Sequence, residues 1–318
     1  MRKSAIVSFP ERDRFDLPEG YARVTGGPGG ECLLIRCGEK ACVLYDTGMY
    51  YCGPETIENI KRKTREWGCS APSHLFMSHT HYDHIGAAPL FTAEWPELLV
   101  VAAPKAEKVF KSERALATMK RLGTSARDWS GEGEQLGREI GTDGFRVDIK
   151  AEDGDSIRVG DKTIVCHSTP GHTDCSMTFQ VLPENTLLLS ESTGIPHSPE
   201  VMTSAILKDF GECVASAEKC KALRGKTLIC SHFGVVPEER NETFFDWYID
   251  TITAQKDRTV GLYDAGASYE EVLQDYVDHN WSAIRETVQP FDAFFLNADI
   301  TVRLLLRTYA KRKFEEQN

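Results

Sequence analysis

The chain has 318 residues and a formal net charge of −11, which is room for one large domain or one and a half. With no basic run of note, that balance argues against nucleic acid as the main substrate, because neutralising phosphates takes clustered Lys and Arg. Nothing approaches a membrane span, and Met1 to Pro10 carries charge without a sustained apolar run. A cytoplasmic protein with no membrane partner is expected.

In chain order, Leu33-Leu34-Ile35-Arg36 and Ala41 to Tyr45 flank a Gly38-Glu39-Lys40 turn and read as a hairpin. Thr56 to Trp67 places Ile57, Ile60 and Trp67 at helical intervals. The apolar run Leu75-Phe76-Met77 then delivers His79-Thr80-His81-Tyr82-Asp83-His84, three imidazoles and a carboxylate in six residues. His79 and His81, two apart in an extended segment, can turn toward one ion. Asp83 and His84 on the following turn can face a second. Imidazole and carboxylate together suit zinc, iron or manganese.

Leu98 to Ala103 reads as a buried strand and Ala106 to Leu122 as a helix. Residues 123–150 form a long polar insertion punctuated by glycines, with Trp129 and Phe145 as aromatic anchors. Two readings stand for it, a lid over a site or a surface loop.

Three later strand-like runs each end in a metal-competent residue. Thr163 to Cys166 precedes Pro170-Gly171-His172, a histidine for the first ion. Leu187 to Leu189 precedes Glu191, a carboxylate able to bridge two cations. Lys226 to Cys230 precedes His232, a histidine for the second ion. Five of the nine histidines fall in this set. Of the others, His74 reads as packing or surface, His167 as a residue behind the ligands, His197 as within reach of a substrate and His279 as isolated.

From Asn241 onward helices take over. Phe245, Ile249 and Ile252 share a face, Ser268 with Glu271 makes a capping box, and Ile300 to Tyr309 carries a second apolar stripe. This tail reads as a cover for the site entrance or as the contact of a homodimer. Phe291, Phe294 and Phe295 read as core packing, with an acyl pocket as the alternative. The ten cysteines are scattered, and Cys37, Cys42, Cys166 and Cys230 lie in apolar runs, so reduced buried thiols are expected.

The run from His79 to His84 matches the HxHxDH motif of the metallo-β-lactamase superfamily. His172, Glu191 and His232 follow in that family's order, and Asp46-Thr47-Gly48 resembles its metal-loop support. The resemblance covers roughly residues 20 to 240. It implies an α/β fold, the αββα sandwich, over a catalytic domain of residues 1–240, with 241–318 as a helical extension. It also implies a dinuclear site of two divalent ions, zinc first and iron or manganese as alternatives. His79, His81 and His172 would hold one ion, Asp83, His84 and His232 the other, with Glu191 between. Asp83 would orient the attacking water. Most members have aspartate where this chain has Glu191, so the longer side chain either bridges from a retracted strand end or binds one ion only.

Within the family, Ser78 to Leu90 looks most like the branch of thioesterases that cleave 2-aminobenzoylacetyl-CoA. That likeness implies a metal-dependent hydrolase acting on a thioester or ester of a small acyl substrate. The alternatives are a hydroxyacylglutathione hydrolase, a lactonase, or a regulatory protein that keeps the metal fold. The glutathione reading wants a basic tail, and only Lys311, Arg312 and Lys313 cluster there.

Overall fold

The computed structural model describes residues 17–131, 139–197, 201–281, 286 and 289–310. Two six-stranded sheets form its centre. In the first, β1 (Tyr21–Arg23), β2 (Leu33–Cys37) and β3 (Ala41–Tyr45) pair antiparallel, and β4 (His74–Phe76), β5 (Leu99–Ala102) and β6 (Ile149–Lys150) continue parallel to β3. The hairpin read from the sequence is β2 and β3.

In the second sheet, β7 (Ser156–Val159), β8 (Lys162–Ser168), β9 (Met177–Leu182) and β10 (Thr186–Leu189) pair antiparallel in succession. A short ribbon of β11 (Ile195–Pro196) and β12 (Met202–Thr203) intervenes. Then β13 (Thr227–Cys230) joins β10 in parallel, and β14 (Gly234–Val235) closes the edge.

The sheets meet face to face through aromatic rings. Phe179 of β9 sits edge-on to Phe76 at 5.2 Å and to Tyr45 at 6.2 Å, and the Tyr45 hydroxyl donates to the Leu189 carbonyl at 2.9 Å. Alternation along β10 explains its unbroken apolar run. Leu188 joins the core between the sheets, while Leu187 and Leu189 face outward into a second core under helices. Helices cover both outer faces, which makes the αββα sandwich.

On the first sheet's side, α1 (Gly53–Trp67) buries Ile57 and Ile60. Short helices α2 (Tyr82–Ile85) and α3 (Ala88–Glu94) carry the metal-loop segment away. Next come α4 (Pro104–Phe110) and α5 (Glu113–Ser130). The single helix expected over Ala106 to Leu122 is thus two, because Ser112 breaks the run and caps the second, its hydroxyl accepting from Ala115 N–H.

Gly123, read from sequence as the start of a polar insertion, is instead buried inside α5. A Cβ there would meet Ile140 at 3.3 Å, so the glycine serves close packing rather than a turn. The helix stops at Gly131, which adopts the left-handed conformation. Phe145 returns to stack on Phe110 at 4.9 Å. Residues 132–138 of the insertion lie outside the described residues, as do Lys311, Arg312 and Lys313 of the tail.

The second sheet is covered by α6 (Phe210–Ala222) and α7 (Phe244–Asp264), while α8 (Tyr269–Asn280) packs in a separate cluster with the end of α7 and with α9 (Phe291–Tyr309). The Ser268–Glu271 capping box is present. Of the three phenylalanines, Phe294 is buried while Phe291 and Phe295 are 47% and 41% exposed, so core packing describes Phe294 alone. All ten cysteines are free thiols, nine of them buried. No described helix is long and apolar enough to cross a membrane.

Candidate metal centre

The ends of four strands converge at one edge of the sandwich. His79 follows β4, His172 lies in the turn between β8 and β9, and Glu191 and His232 follow β10 and β13. Strand register sets the last two. Leu189 pairs with Cys230 in the parallel β10–β13 ladder, so Glu191 and His232 each stand two residues beyond a matched pair.

The structure gathers all seven sequence-predicted residues into two neighbouring groups. His79, His81 and His172 form one, and Asp83, His84, Glu191 and His232 the other. In each group the candidate ligand atoms lie within 4.8 Å of one another. Glu191 faces both. Its Oε1 is 2.7 Å from Nε2 of His84 and of His232, and its Oε2 is 3.2 Å from Nε2 of His172. The added methylene relative to aspartate therefore does not confine the carboxylate to one group. Asp83 Oδ2 lies 3.4 Å from His232 Nε2 and 3.5 Å from His84 Nε2.

Buried groups behind the ligands fix their rings. Asp46, with φ at +50°, accepts from Ser78 N–H at 2.7 Å and from its hydroxyl at 2.6 Å, and its Oδ2 meets His84 Nδ1 at 3.1 Å. Ser78 Oγ in turn lies 2.9 Å from His79 Nδ1. His172 Nδ1–H donates to the Ala205 carbonyl at 2.7 Å, which leaves Nε2 as a lone pair pointed at the site. The His84 carbonyl accepts from the N–H groups of Thr47 and Gly48 at 2.7 and 2.9 Å. Gly30 lies so close that a Cβ would stand 2.5 Å from His84 Nδ1. Ser78 and Ala205 were not legible as functional. A hydroxyl before the motif is the sole sequence signal for the first, and a backbone carbonyl gives none.

Electrostatics differ between the groups. Burial and neighbouring imidazoles hold His79 well below its ordinary pKa. Burial, with His172 beside it, brings His81 down to about 3, so His79 and His81 present neutral rings. In the other group burial opposes charge but the ion partners outweigh it. His84 is raised well above the usual range by Asp83, Asp46 and Glu191 together, and His232 is raised to about 9 by Glu191 and Asp83. The same attraction brings Asp83 down to about 2 and holds Glu191 well below the carboxylate range.

These residues fit cations. Nε2 of His79 is buried with no hydrogen-bond partner, an arrangement that costs free energy unless something else uses the lone pair. His172 Nε2 and His81 Nδ1 face each other at 2.9 Å beside it. Imidazole nitrogens converging in this way suit a divalent metal, as does the mixed carboxylate–imidazole set next to them.

The remaining histidines stand apart. His167 meets Gln180 at 3.1 Å across the β8–β9 ladder, so it supports the sheet and not the ligands. His74 pairs with Ser73 and stacks on Phe76. His279 lies in the last turn of α8. His197 is buried with its ring 4.9 Å from that of Phe233, which lies 5.6 Å from His232.

An αββα sandwich carrying such a pair of His and carboxylate groups suggests a metal-dependent hydrolase. The chain belongs to the metallo-β-lactamase superfamily, whose family model matches residues 25–232. No curated protein matches it. Among solved structures, a metallo-β-lactamase family protein from Thermus thermophilus is 16% identical, covering 90% of this chain and 94% of its own, with a TM-score of 0.62. A superfamily protein from Sulfolobus tokodaii is 19% identical over 84% of this chain and 98% of that one, with a TM-score of 0.53. The subclass B3 metallo-β-lactamase of Bradyrhizobium japonicum is 17% identical over 75% and 94%, with a TM-score of 0.50. At these identities the likeness is one of fold.

Proposed function

We propose that this protein hydrolyses a thioester or ester of a small acyl substrate with two divalent cations, zinc in the first instance. His79, His81 and His172 would hold one ion and Asp83, His84 and His232 the other, with Glu191 between them. The observation that carries this reading is the Glu191 carboxylate, whose two oxygens address the two groups separately. When bound, such ions supply Lewis acidity and bring a water's pKa toward neutrality.

The chain's own residues do the rest. Asp83, kept ionised by His84 and His232 despite burial, accepts a hydrogen bond from the attacking water and orients it. Asp46 and Ser78 hold the rings of His84 and His79 in place. Phe233, beside His232, offers the acyl group an apolar wall.

The test is a hydrolysis panel of acyl-CoA thioesters, S-acylglutathiones, lactones and phosphodiesters, run on protein loaded separately with zinc, iron and manganese. Selective thioester turnover that disappears in Asp83→Asn, with the fold intact by circular dichroism, supports the reading. Turnover of lactones or phosphodiesters alone would overturn the substrate class. Silence across the panel would favour a regulatory protein that retains the metal fold.

A further inference from the structure

Two buried polar residues of the C-terminal helices are directed at one short segment behind the metal centre. Residues 204–206 follow β12 and contain Ala205, whose carbonyl accepts from His172 Nδ1 at 2.7 Å. On α7, Tyr248, Ile252 and Gln255 recur at helical intervals and are all buried, so Gln255 is an amide on an otherwise apolar face. Its Oε1 accepts from the buried Ser204 hydroxyl at 2.8 Å, and its Nε2 donates to Asn280 Oδ1, at the end of α8, at 2.7 Å. On α9, Thr301 lies in the buried stripe with Ala298, Val302 and Leu305, and its hydroxyl donates to the Ile206 carbonyl at 3.1 Å.

That last bond departs from the habit of the other helical threonines. Thr92, Thr118, Thr124 and Thr251 each donate to the carbonyl four residues back in the same helix, the common use of a hydroxyl there. Thr301 instead reaches a carbonyl 95 residues away. Gln255 and Thr301 thus grip Ser204 and Ile206, the neighbours of Ala205 on either side. The same helix α7 also braces the far end of the β11–β12 ribbon. Gly194, three residues past Glu191, lies so close that a Cβ would stand 2.7 Å from the Tyr248 ring.

These contacts bear on the metal centre through one atom. His172 offers Nε2 as a lone pair only while Nδ1 carries the proton, and the Ala205 carbonyl fixes that tautomer. Apolar side chains of similar size would keep the two helix faces unbroken, so cohesion of the helices does not call for a buried amide and hydroxyl.

We infer that Gln255 and Thr301 are positioning residues for His172. The C-terminal extension, beyond the residues 25–232 matched by the family model, then completes the metal centre by holding the Ala205 carbonyl in place. The effect on metal binding rests on the two-cation reading above; the effect on the ring does not.

The experiment compares four variants. Thr301→Val and Gln255→Met keep the size and remove the hydrogen bonds, while Thr301→Ser retains the hydroxyl. Val302→Ala, at a buried apolar neighbour, loosens α9 without removing a polar contact. Long-range nitrogen–proton NMR on metal-free protein with isotope-labelled histidines reads the ring tautomer, the His172 signal being the one absent from His172→Gln. Chelator competition reads the affinities of the two ions.

In the wild type His172 carries its proton on Nδ1. In Thr301→Val and in Gln255→Met it loses that single form, and one ion weakens roughly tenfold while the other keeps its affinity. Thr301→Ser restores both readings, and Val302→Ala lowers the melting temperature while leaving both as in the wild type. If Val302→Ala shifts either reading as far, or both ions weaken alike, the contacts are merely structural and the positioning role is refuted. A single tautomer retained in both variants, or two ions held as tightly as in the wild type, refutes it also. Should the wild type bind no divalent metal while the His172 tautomer still follows Gln255 and Thr301, the positioning role stands and the two-cation reading falls.

Discussion

Glu191 Oε2 stands 3.2 Å from Nε2 of His172, although Oε1 of the same carboxylate belongs to the opposite group. One side chain therefore couples two clusters of ligands that come from both sheets.

Replacing Glu191 should separate these roles. Glu191→Gln keeps the size and removes the charge, and is expected to reduce bound metal from about two ions per chain toward one while lowering kcat by roughly 100-fold or more. Metal analysis after gel filtration, run beside turnover, checks both. Two tightly held ions in the variant would show that the carboxylate is dispensable to the second group.

Asp46 touches no candidate ion-facing atom, yet it orients Ser78 and His84. Asp46→Asn should weaken metal affinity by roughly 10- to 100-fold, the usual effect of losing a partner behind a ligand. Excess metal should restore much of the activity. Competition with a chromogenic chelator measures the affinity, and an unchanged constant would refute the role.

His232 fixes the direction of the pH dependence. Its pKa in the metal-free fold, about 9, exceeds the roughly 6.5 of an unfolded chain, so its contribution to stability is complete below about pH 6.5. That contribution is lost as pH rises through about 9. A bound cation needs the neutral ring, so metal affinity should move the other way and increase across the same interval, with proton release on binding. Thermal melts of the metal-free protein and calorimetry in buffers of different ionisation enthalpy test the two halves.

Gly30→Ala places a methyl carbon where His84 Nδ1 is 2.5 Å away and the Asp83 carbonyl 2.9 Å away. The expected cost is about 1–3 kcal/mol of stability, with metal content lost first because His84 must move. A variant that melts normally and keeps two ions would show that the loop yields freely.

The seven residues that the structure gathers into two groups stand out in the sequence because His79, His81, Asp83 and His84 are crowded into one short run and each later member follows an apolar strand. Whether Glu191 spans both groups was not legible, since that depends on the β10–β13 register and not on side-chain length alone. The break at Ser112 was hidden by helix-forming residues on either side, and Gly123 read as a breaker because its packing partner Ile140 is distant in sequence.

The matched pairing of Leu189 with Cys230 has a practical consequence. A slip of one residue between these strands would turn Leu188 away from the inter-sheet core and offset Glu191 from His232. Metal stoichiometry is therefore a gauge of assembly as well as of chemistry. Under the two-ion reading proposed above, a refolded preparation that takes up both ions has docked both sheets in register, and one that does not can be discarded before any substrate is tried.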